Sequence, residues 1–434
     1  MEAAPLPRTG LVRAIHKWDL VALAVNAIVG AGIFGLPSET FRRIGVYSLG
    51  AFVVCALVVA LIILCFAEVS SRFTETGGPY LYAREAFGSV VGFEVGWMIW
   101  IARLTAFAAN CNLFVGYLGF LWPPAAAGPG RAAIICAVVL ILAFVNLAGV
   151  RNAAIVSTTF TVAKLLPLLL FVGVGLFFIR PGAYTPGATP GFGDFSASVL
   201  ILVYAFSGFE MATIAGGEAR DPRRDMPVAL LAAIGVVAVL YLLIQIVAIG
   251  TLPGLADSTR PLADAGGRFL GRFGGAIISV GALISIFGNL NVIMLVGSRL
   301  PYAMAERREL PGFIARIHPR FRTPHVSIFI TSLAVLWLTL SGTFVKAATV
   351  SVIARLLSYS VTCAALPVLR RKRGAPPAAF RAPAGVAAAV ASLLLAAWLL
   401  SNSTPAQARD SAIAAGIGLA IYLASTVGWR ASAR

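Results

Sequence analysis

Long stretches without a charged residue constrain the fold of this chain more than any other feature of its sequence. The uncharged stretches are 44–67, 104–130, 132–150, 228–256, 273–298, 326–345, 382–408 and 411–429. Each is about as long as the ~20 residues that a helix needs to cross the hydrocarbon core of a bilayer. The alternating pattern of about ten residues that is typical of a membrane β-barrel does not occur. The sequence therefore predicts an all-α integral membrane protein with the lipid bilayer as its surroundings.

The composition and charge agree with a membrane protein. Hydrophobic residues make up 59% of the chain and charged residues 12%, whereas soluble domains average about 25% charged residues. The net charge of +17 could indicate a nucleic-acid partner. In a membrane protein, however, an excess of Lys and Arg in cytoplasmic loops accounts for such a charge. We therefore expect no nucleic acid as a partner.

Hydrophobic patterning predicts twelve transmembrane helices, numbered here as spans 1 to 12. Their expected bounds are 18–42, 45–71, 88–122, 131–150, 153–179, 194–217, 227–252, 271–302, 325–342, 346–369, 383–402 and 409–430. Most Lys and Arg residues lie on the side of the N-terminus, which predicts that both termini are cytoplasmic. Residues 1–17 lack the features of a signal peptide, so we expect span 1 to be retained in the cytoplasmic (inner) membrane.

Two spans carry glycines and polar residues at their midpoints. Span 1 contains GAGIFG (30–35), and span 6 contains YAFSGFEMATIAGGE (204–218). A lone glycine in a span is usually a packing contact between helices. Matching interruptions in two halves of a chain instead indicate a transporter binding site near the middle of the membrane. The amides and carbonyls freed by an interruption suit a carboxylate and an ammonium group, which makes amino acids the natural candidates.

Four stretches resemble the amino acid–polyamine–organocation (APC) family of permeases, of the bacterial amino acid permease type. They are VGAGIFGLPS (29–38), FAEVSSRFTETGGPYLYAREAFG (66–88), FSGFEMATIAGGEARDPRRDMPVAL (206–230) and PYAMAERRELPGFIARIHPRFRTPHVSI (301–328). The resemblance implies the LeuT-like fold, in which five spans and five inverted spans form two repeats and spans 1 and 6 are broken. It divides the chain into a cytoplasmic N-terminus (1–17), a first repeat (18–180), a second repeat (181–370), and two C-terminal helices with a tail (371–434).

The resemblance also implies where the substrate binds. The backbone of Gly30, Ala31, Gly32 and Ile33 would meet the substrate carboxylate, and residues from Tyr204 to Gly208 would face its amino group and side chain. The full set of expected substrate-binding residues is Ile28, Gly30, Ala31, Gly32, Ile33, Arg103, Asn110, Tyr204, Ala205, Phe206, Ser207, Gly208 and Ile293.

Charged residues inside the spans are costly there and are therefore candidates for function. By resemblance, Lys164 in span 5 would touch the span 1 interruption near Gly30, at the place where sodium-coupled relatives bind a cation. Burial disfavours a charged lysine, so Lys164 could couple proton binding to transport, or it could be a fixed structural cation. In either case we expect no sodium ion beside it.

Three further charged residues leave alternatives open. Glu210 follows the span 6 interruption, where it could gate the site or cap freed amides. Arg103 in span 3 could face the cavity, with Asn110 further along, or pair with an acid. Arg355 in span 10 could line an outer vestibule or extend towards the membrane surface.

Two positions bear on the choice of substrate. Family members that exchange arginine for agmatine carry tryptophans where this chain has Tyr204 and Ile293. A cation–π box for a guanidinium is thereby weakened, and Arg103 in the cavity would repel a cationic side chain. Neutral amino acids are favoured, with exchange of cationic amino acids or amines as the alternative.

Other classes of protein find less support in the sequence. The five cysteines lie in apolar spans without a CxxC pair, and no metal-ligand spacing occurs. We therefore expect neither a metal site nor a cofactor. The three histidines are His16 and His318, which lie in expected cytoplasmic segments, and His325, which lies at the cytoplasmic start of span 9. This placement argues against a membrane-embedded enzyme. An amino acid sensor without transport activity stays a remote alternative. The sequence leaves the choice between proton symport and exchange open, as well as the oligomeric state.

Overall fold

The computed structural model describes the backbone of residues 16–74, 77–148, 153–214 and 219–432, and the side chains of the same residues apart from 153–163, 214 and 427–432. Most of the predicted N-terminal segment 1–17, residues 149–150 of span 4 and residues 215–217 of span 6 lie outside the described residues. The helices are α1 (Lys17–Ile28), α2 (Gly32–Ile44), α3 (Ser48–Ser70), α4 (Pro79–Phe87), α5 (Ser89–Leu121), α6 (Gly128–Ala148), α7 (Ala153–Gly175), α8 (Phe192–Phe206), α9 (Glu210–Ile214), α10 (Pro222–Thr251), α11 (Pro261–Glu306), α12 (His325–Ser341), α13 (Phe344–Arg371), α14 (Gly385–Ser401) and α15 (Pro405–Ser432).

Two of the predicted spans are each divided into two helices. In span 1 the helix stops after Ile28 and resumes at Gly32, and in span 6 it stops after Phe206 and resumes at Glu210. We call residues 29–31 the first interruption and residues 207–209 the second interruption. Interrupted backbone at membrane depth is tolerated where protein or a cavity surrounds it.

Seven helical segments of the described chain are long and apolar enough to cross a membrane. They are 32–70, 89–121, 128–148, 192–213, 222–251, 261–306 and 344–371. Helices α14 and α15 pass the same test only as a pair, bent by 117° at their junction. By length and composition, the described chain is thus an all-helical, multi-pass membrane protein with seven or eight candidate spans.

Two helical stretches differ from the sequence-based expectation. The predicted loop before span 8 is partly helical, because α11 begins at Pro261 and continues past a kink at Gly271, whose φ is 65°. Proline suits the first turn of a helix, and glycine tolerates the positive φ of the kink. The segment between spans 2 and 3 contains the short helix α4, which also begins at a proline.

The packing of the helices surrounds both interruptions with protein. The long helix α5 packs against α11, α12 and α13, while α10 packs against α1 and α3. Helix α2 packs against α8, which brings the second half of span 1 against the first half of span 6. The residues of both interruptions are accordingly buried.

Candidate functional site

The two interrupted spans are in direct backbone contact beside their interruptions. A Cβ atom added to Gly32 would lie 2.6 Å from the Cα atom of Ala205. A Cβ atom added to Gly208 would lie 2.2 Å from the carbonyl oxygen of Ala27, and the φ of Gly208 is +115°. Both the contact and the backbone conformation require glycine. The structure therefore brings together the predicted backbone residues of spans 1 and 6.

Lys164 contacts the end of α1. Its Nζ atom donates hydrogen bonds to the carbonyl oxygen of Val29, at 2.7 Å, and to that of Asn26. The last carbonyls of a helix lack amide partners within the helix, so an ammonium group is a suitable donor for them. Lys164 is 4% exposed. These two carbonyls therefore replace water as the main polar groups around its amine.

Tyr241 of α10 joins both interrupted spans, although the sequence analysis did not single it out. Its hydroxyl lies 3.2 Å from the carbonyl oxygen of Ile28 and 3.3 Å from that of Ala205. These two carbonyls end α1 and α8, respectively. Its hydroxyl, one of the few polar side-chain groups of span 7, was the signal that could have identified it, because buried polar groups require partners.

Tyr204 and Asn110 lie together, between α8 and α5. The Tyr204 hydroxyl donates a hydrogen bond to Asn110 Oδ1 and lies 3.2 Å from the carbonyl oxygen of Ala106. Its ring packs edge-on against Phe344, with 6.1 Å between the ring centroids. Ser207 donates to the carbonyl oxygen of Tyr204 at 2.9 Å and thus caps the end of α8.

The ring of Phe206 lies in the core of the bundle. It packs against Phe52 of α3 and Tyr241 of α10, at centroid distances of 6.3 and 5.1 Å. Any contribution of Phe206 to a ligand at the second interruption would therefore come from its backbone.

Glu210 begins α9 and accepts hydrogen bonds from three groups. The amide of Gly208 lies 3.0 Å from Oε2, the hydroxyl of Tyr359 lies 2.7 Å from the same atom, and Arg355 forms an ion pair with Oε1. Arg355 is buried in this ion pair and does not extend to the membrane surface. A buried guanidinium is stable when a carboxylate and further hydrogen bonds offset its desolvation, and Glu210 supplies that carboxylate from 145 residues away.

Arg103 lies in the same region but has no such partner. Its side chain is 2% exposed, and its Nε and Nη2 atoms have no hydrogen-bond partner among the described residues. No described carboxylate lies within ion-pair distance of it, so the acid that we considered as its partner is not found. Glu210 and Arg355 lie near enough to interact with it electrostatically.

Helix α11 contributes an amide side chain to the first interruption. A Cβ atom added to Gly30 would lie 2.5 Å from Nδ2 of Asn289. Asn291 instead accepts a hydrogen bond from Asn146 of α6 at 3.2 Å. Ile293 is buried one turn beyond Asn289.

Metal ligands are not grouped in the described part of the chain. No set of three or more His, Cys, Asp or Glu side chains there is arranged to hold a metal ion. All five cysteines are free thiols. The polar groups around the two interruptions are carbonyls, amides, hydroxyls, the ammonium group of Lys164 and the Glu210–Arg355 ion pair. Such groups suit an organic zwitterion.

Ionic contacts also join the loops at one end of the bundle. Tyr80 of α4 donates to Glu309 at 2.9 Å, and Arg84 lies 3.7 Å from the same carboxylate. Burial raises the pKa of Glu309 above its usual value. Beneath them, Glu68 accepts hydrogen bonds from Arg370 and from the amide of Ala382, which ties the loop after α13 to α3.

Comparison with known proteins places the chain among permeases. Residues 15–422 match the family model described as amino acid permease. The methylthioribose transporter of Bacillus subtilis is 27% identical over 95% of this chain and 93% of the relative. The serine/threonine exchanger SteT of the same organism is 28% identical over 86% and 87% of the two chains. An arginine/ornithine antiporter of Pseudomonas aeruginosa is 31% identical over 73% and 68%.

Proposed function

The chain belongs to the amino acid permease family, and on this premise we propose that it is a secondary active transporter that moves amino acids by alternating access. The family membership confirms the resemblance seen in the sequence. It also makes the protein a membrane permease and not an enzyme. We further propose the LeuT-like arrangement of twelve spans in the cytoplasmic membrane, with both termini in the cytoplasm.

The close backbone contact of the two interrupted spans is the observation that carries the proposal. A site for a zwitterion needs donors for a carboxylate and acceptors for an ammonium group, close together and shielded from lipid. The start of α2 supplies helix N-terminal amides, and the end of α8 supplies carbonyls. Gly32 places the start of α2 against Ala205 of α8, and Gly208 places the second interruption against Ala27 of α1, so these ends lie close together. The proposed cargo lies between them, with Asn110 and Tyr204 beside its side chain.

Lys164 is the proposed coupling residue. Its ammonium group donates to the carbonyls of Asn26 and Val29, so loss of its proton would replace a charged donor at the end of α1 by a weaker, neutral one. Proton binding at Lys164 would then change the stability of the first interruption. A sodium ion is unnecessary, because the protein itself supplies the cation. Glu210, bound to the amide of Gly208, is the proposed gating residue of the second interruption.

The proposed cargo is a neutral amino acid, since the buried guanidinium of Arg103, which has no described carboxylate partner, would repel a cationic side chain. Exchange is the second candidate mechanism. It is supported by two relatives whose names describe an exchanger of serine and threonine and an antiporter of arginine and ornithine. The methylthioribose transporter shows that substrates vary among the relatives.

Uptake by purified protein in liposomes tests the proposal. A panel of labelled amino acids is offered with and without an inward proton gradient, with and without sodium, and with and without internal substrate. We expect neutral amino acids to accumulate when the gradient is imposed, independently of sodium. Lys164→Ala should lose the dependence on the gradient, whereas Lys346→Ala, which removes an exposed lysine of α13, should retain it.

The outcomes separate the alternatives. Uptake that ignores the proton gradient but requires internal substrate would establish exchange in place of symport. Absence of transport for every amino acid, or an absolute need for sodium, would contradict the proposal. Binding of an amino acid without transport would indicate that the protein is an amino acid sensor.

A further inference from the structure

Arg103 combines deep burial with donors that the described residues leave unused. The Nε and Nη2 atoms are enclosed, and no described residue accepts a hydrogen bond from them. A charged group without a partner is costly to bury. The position of the side chain in the middle of α5 gives it no route to the membrane surface.

The neighbours of Arg103 fix it beside the second interruption. The carbonyl oxygen of Ala102 accepts a hydrogen bond from Ser351 of α13 at 2.7 Å, and that of Ala106 lies 3.2 Å from the Tyr204 hydroxyl. Arg103 is therefore on a segment of α5 that is attached on both sides to the helices of the site. Movement of α8 relative to α5 would change its surroundings directly.

The local charges leave an excess cation. Arg103, Arg355 and Glu210 carry two positive charges and one negative charge. Glu210 already accepts hydrogen bonds from Gly208 and Tyr359 and pairs with Arg355. The only carboxylate near Arg103 in the described chain is thus engaged elsewhere, and the described residues supply no counter-charge for Arg103.

We propose that Arg103 binds a small monovalent anion, a carboxylate or a halide, beside the second interruption. The planar guanidinium offers two parallel N–H donors, a geometry that matches a carboxylate and also serves a chloride ion. The anion is either the side-chain carboxylate of an acidic amino acid, which rests on the proposed transport function and extends its cargo beyond neutral amino acids, or chloride from solution accompanying a neutral cargo. The enclosed nitrogens admit it when the helices of the site separate.

Thermal unfolding of the purified protein in detergent tests the proposal without requiring transport. One arm replaces sodium methanesulfonate by sodium chloride at constant ionic strength. The other compares glutamate with glutamine, which have nearly the same shape but differ in charge. We expect chloride or glutamate to raise the melting temperature in a saturable manner. Arg103→Gln should raise the anion concentration that gives half of the maximal stabilisation by about tenfold or more. That increase is expected for loss of a charge-assisted hydrogen bond.

Two further variants keep the test decisive. Arg299→Gln is the control, because Arg299 donates to the carbonyl of Leu295 in its own helix; it should respond to anions as the original protein does. If Arg103→Gln fails to fold, Arg103→Lys keeps the charge but loses the planar fork and should bind the anion several-fold more weakly.

The arms also identify the source of the anion. Saturable stabilisation by glutamate but not glutamine assigns Arg103 to the cargo, and stabilisation by chloride assigns it to a co-bound ion. No anion effect in the original protein, or an unchanged effect in the Arg103 variants, would overturn the proposal. A protein that transports no amino acid but keeps its Arg103-dependent anion effect would refute the proposed transport function and leave this inference intact.

Discussion

Replacing Gly208 by alanine would separate the two interrupted spans. The added Cβ atom would lie 2.2 Å from the carbonyl oxygen of Ala27 and 2.9 Å from its carbonyl carbon. Both atoms belong to the backbone of α1, so no side-chain rotation relieves the overlap. Span 1 or span 6 would have to move away from the other.

The cost has two parts. The φ of +115° at Gly208 belongs to a region that costs a residue with a side chain about 1 to 3 kcal/mol. Forcing an additional carbon into a packed contact costs about 1 to 3 kcal/mol more. We therefore expect Gly208→Ala to reduce the free energy of unfolding by about 2 to 6 kcal/mol. It should also abolish amino acid uptake, because the donors of α2 and the acceptors of α8 would no longer face one ligand.

Thermal unfolding in detergent and uptake into liposomes measure the two effects. Gly235→Ala is a matched control, because Gly235 lies in the exposed face of α10 with no atom near the position of the added carbon. That substitution should leave uptake unchanged and stabilise the helix by about 0.5 to 1 kcal/mol. If Gly208→Ala matched the original protein in melting temperature and uptake, the close crossing of the spans would be refuted.

Three other predictions concern individual side chains. Tyr241→Phe should lower the rate of uptake by about tenfold, because it removes the hydroxyl that contacts the carbonyls of Ile28 and Ala205. Loss of such a buried hydrogen bond costs about 1 to 3 kcal/mol. Tyr184→Phe, which loses a single bond to a carbonyl of α10, is its control. Glu210→Gln should destabilise the protein by about 3 to 5 kcal/mol by leaving Arg355 unpaired, and a double variant with Arg355→Met should recover part of that loss in a thermal double-mutant cycle. Because burial raises the pKa of Glu309, the folded state holds that proton more tightly than the unfolded state. Stability should therefore fall as pH rises from about 4.5 through the raised pKa, and Glu309→Gln should remove this component of the dependence of melting temperature on pH.

Much of the helical architecture was accessible from the sequence. The uncharged stretches predicted helices because a bilayer requires long, internally hydrogen-bonded segments. GAGIFG and FSGFE also marked the places where the helices stop. Glycine and polar residues favour an interruption of a helix, whereas larger apolar residues do not. The start of α11 was missed because residues 261–270 are too polar to read as part of a span, although Pro261 is a helix-start signal.

The candidate site was predictable in part. Lys164 stood out because a charge in the middle of an apolar span is expensive, and the structure finds its ammonium group on the carbonyls of Asn26 and Val29. Arg355 was misjudged for a related reason. Its distance along span 10 indicated a depth in the membrane, but it said nothing about which neighbouring helix would face it.

The sequence by itself determined the membrane class, the approximate helices and the positions of the two interruptions. These depend on composition and periodicity within short windows, and each window responds to the bilayer independently of the rest of the chain. Only the tertiary structure decided that Gly208 touches Ala27, that Tyr241 reaches both interruptions, that Glu210 pairs with Arg355 and that Arg103 keeps unused donors. These relations join residues far apart in the chain, and they depend on the rotation and depth of each helix, which packing against several neighbours sets together.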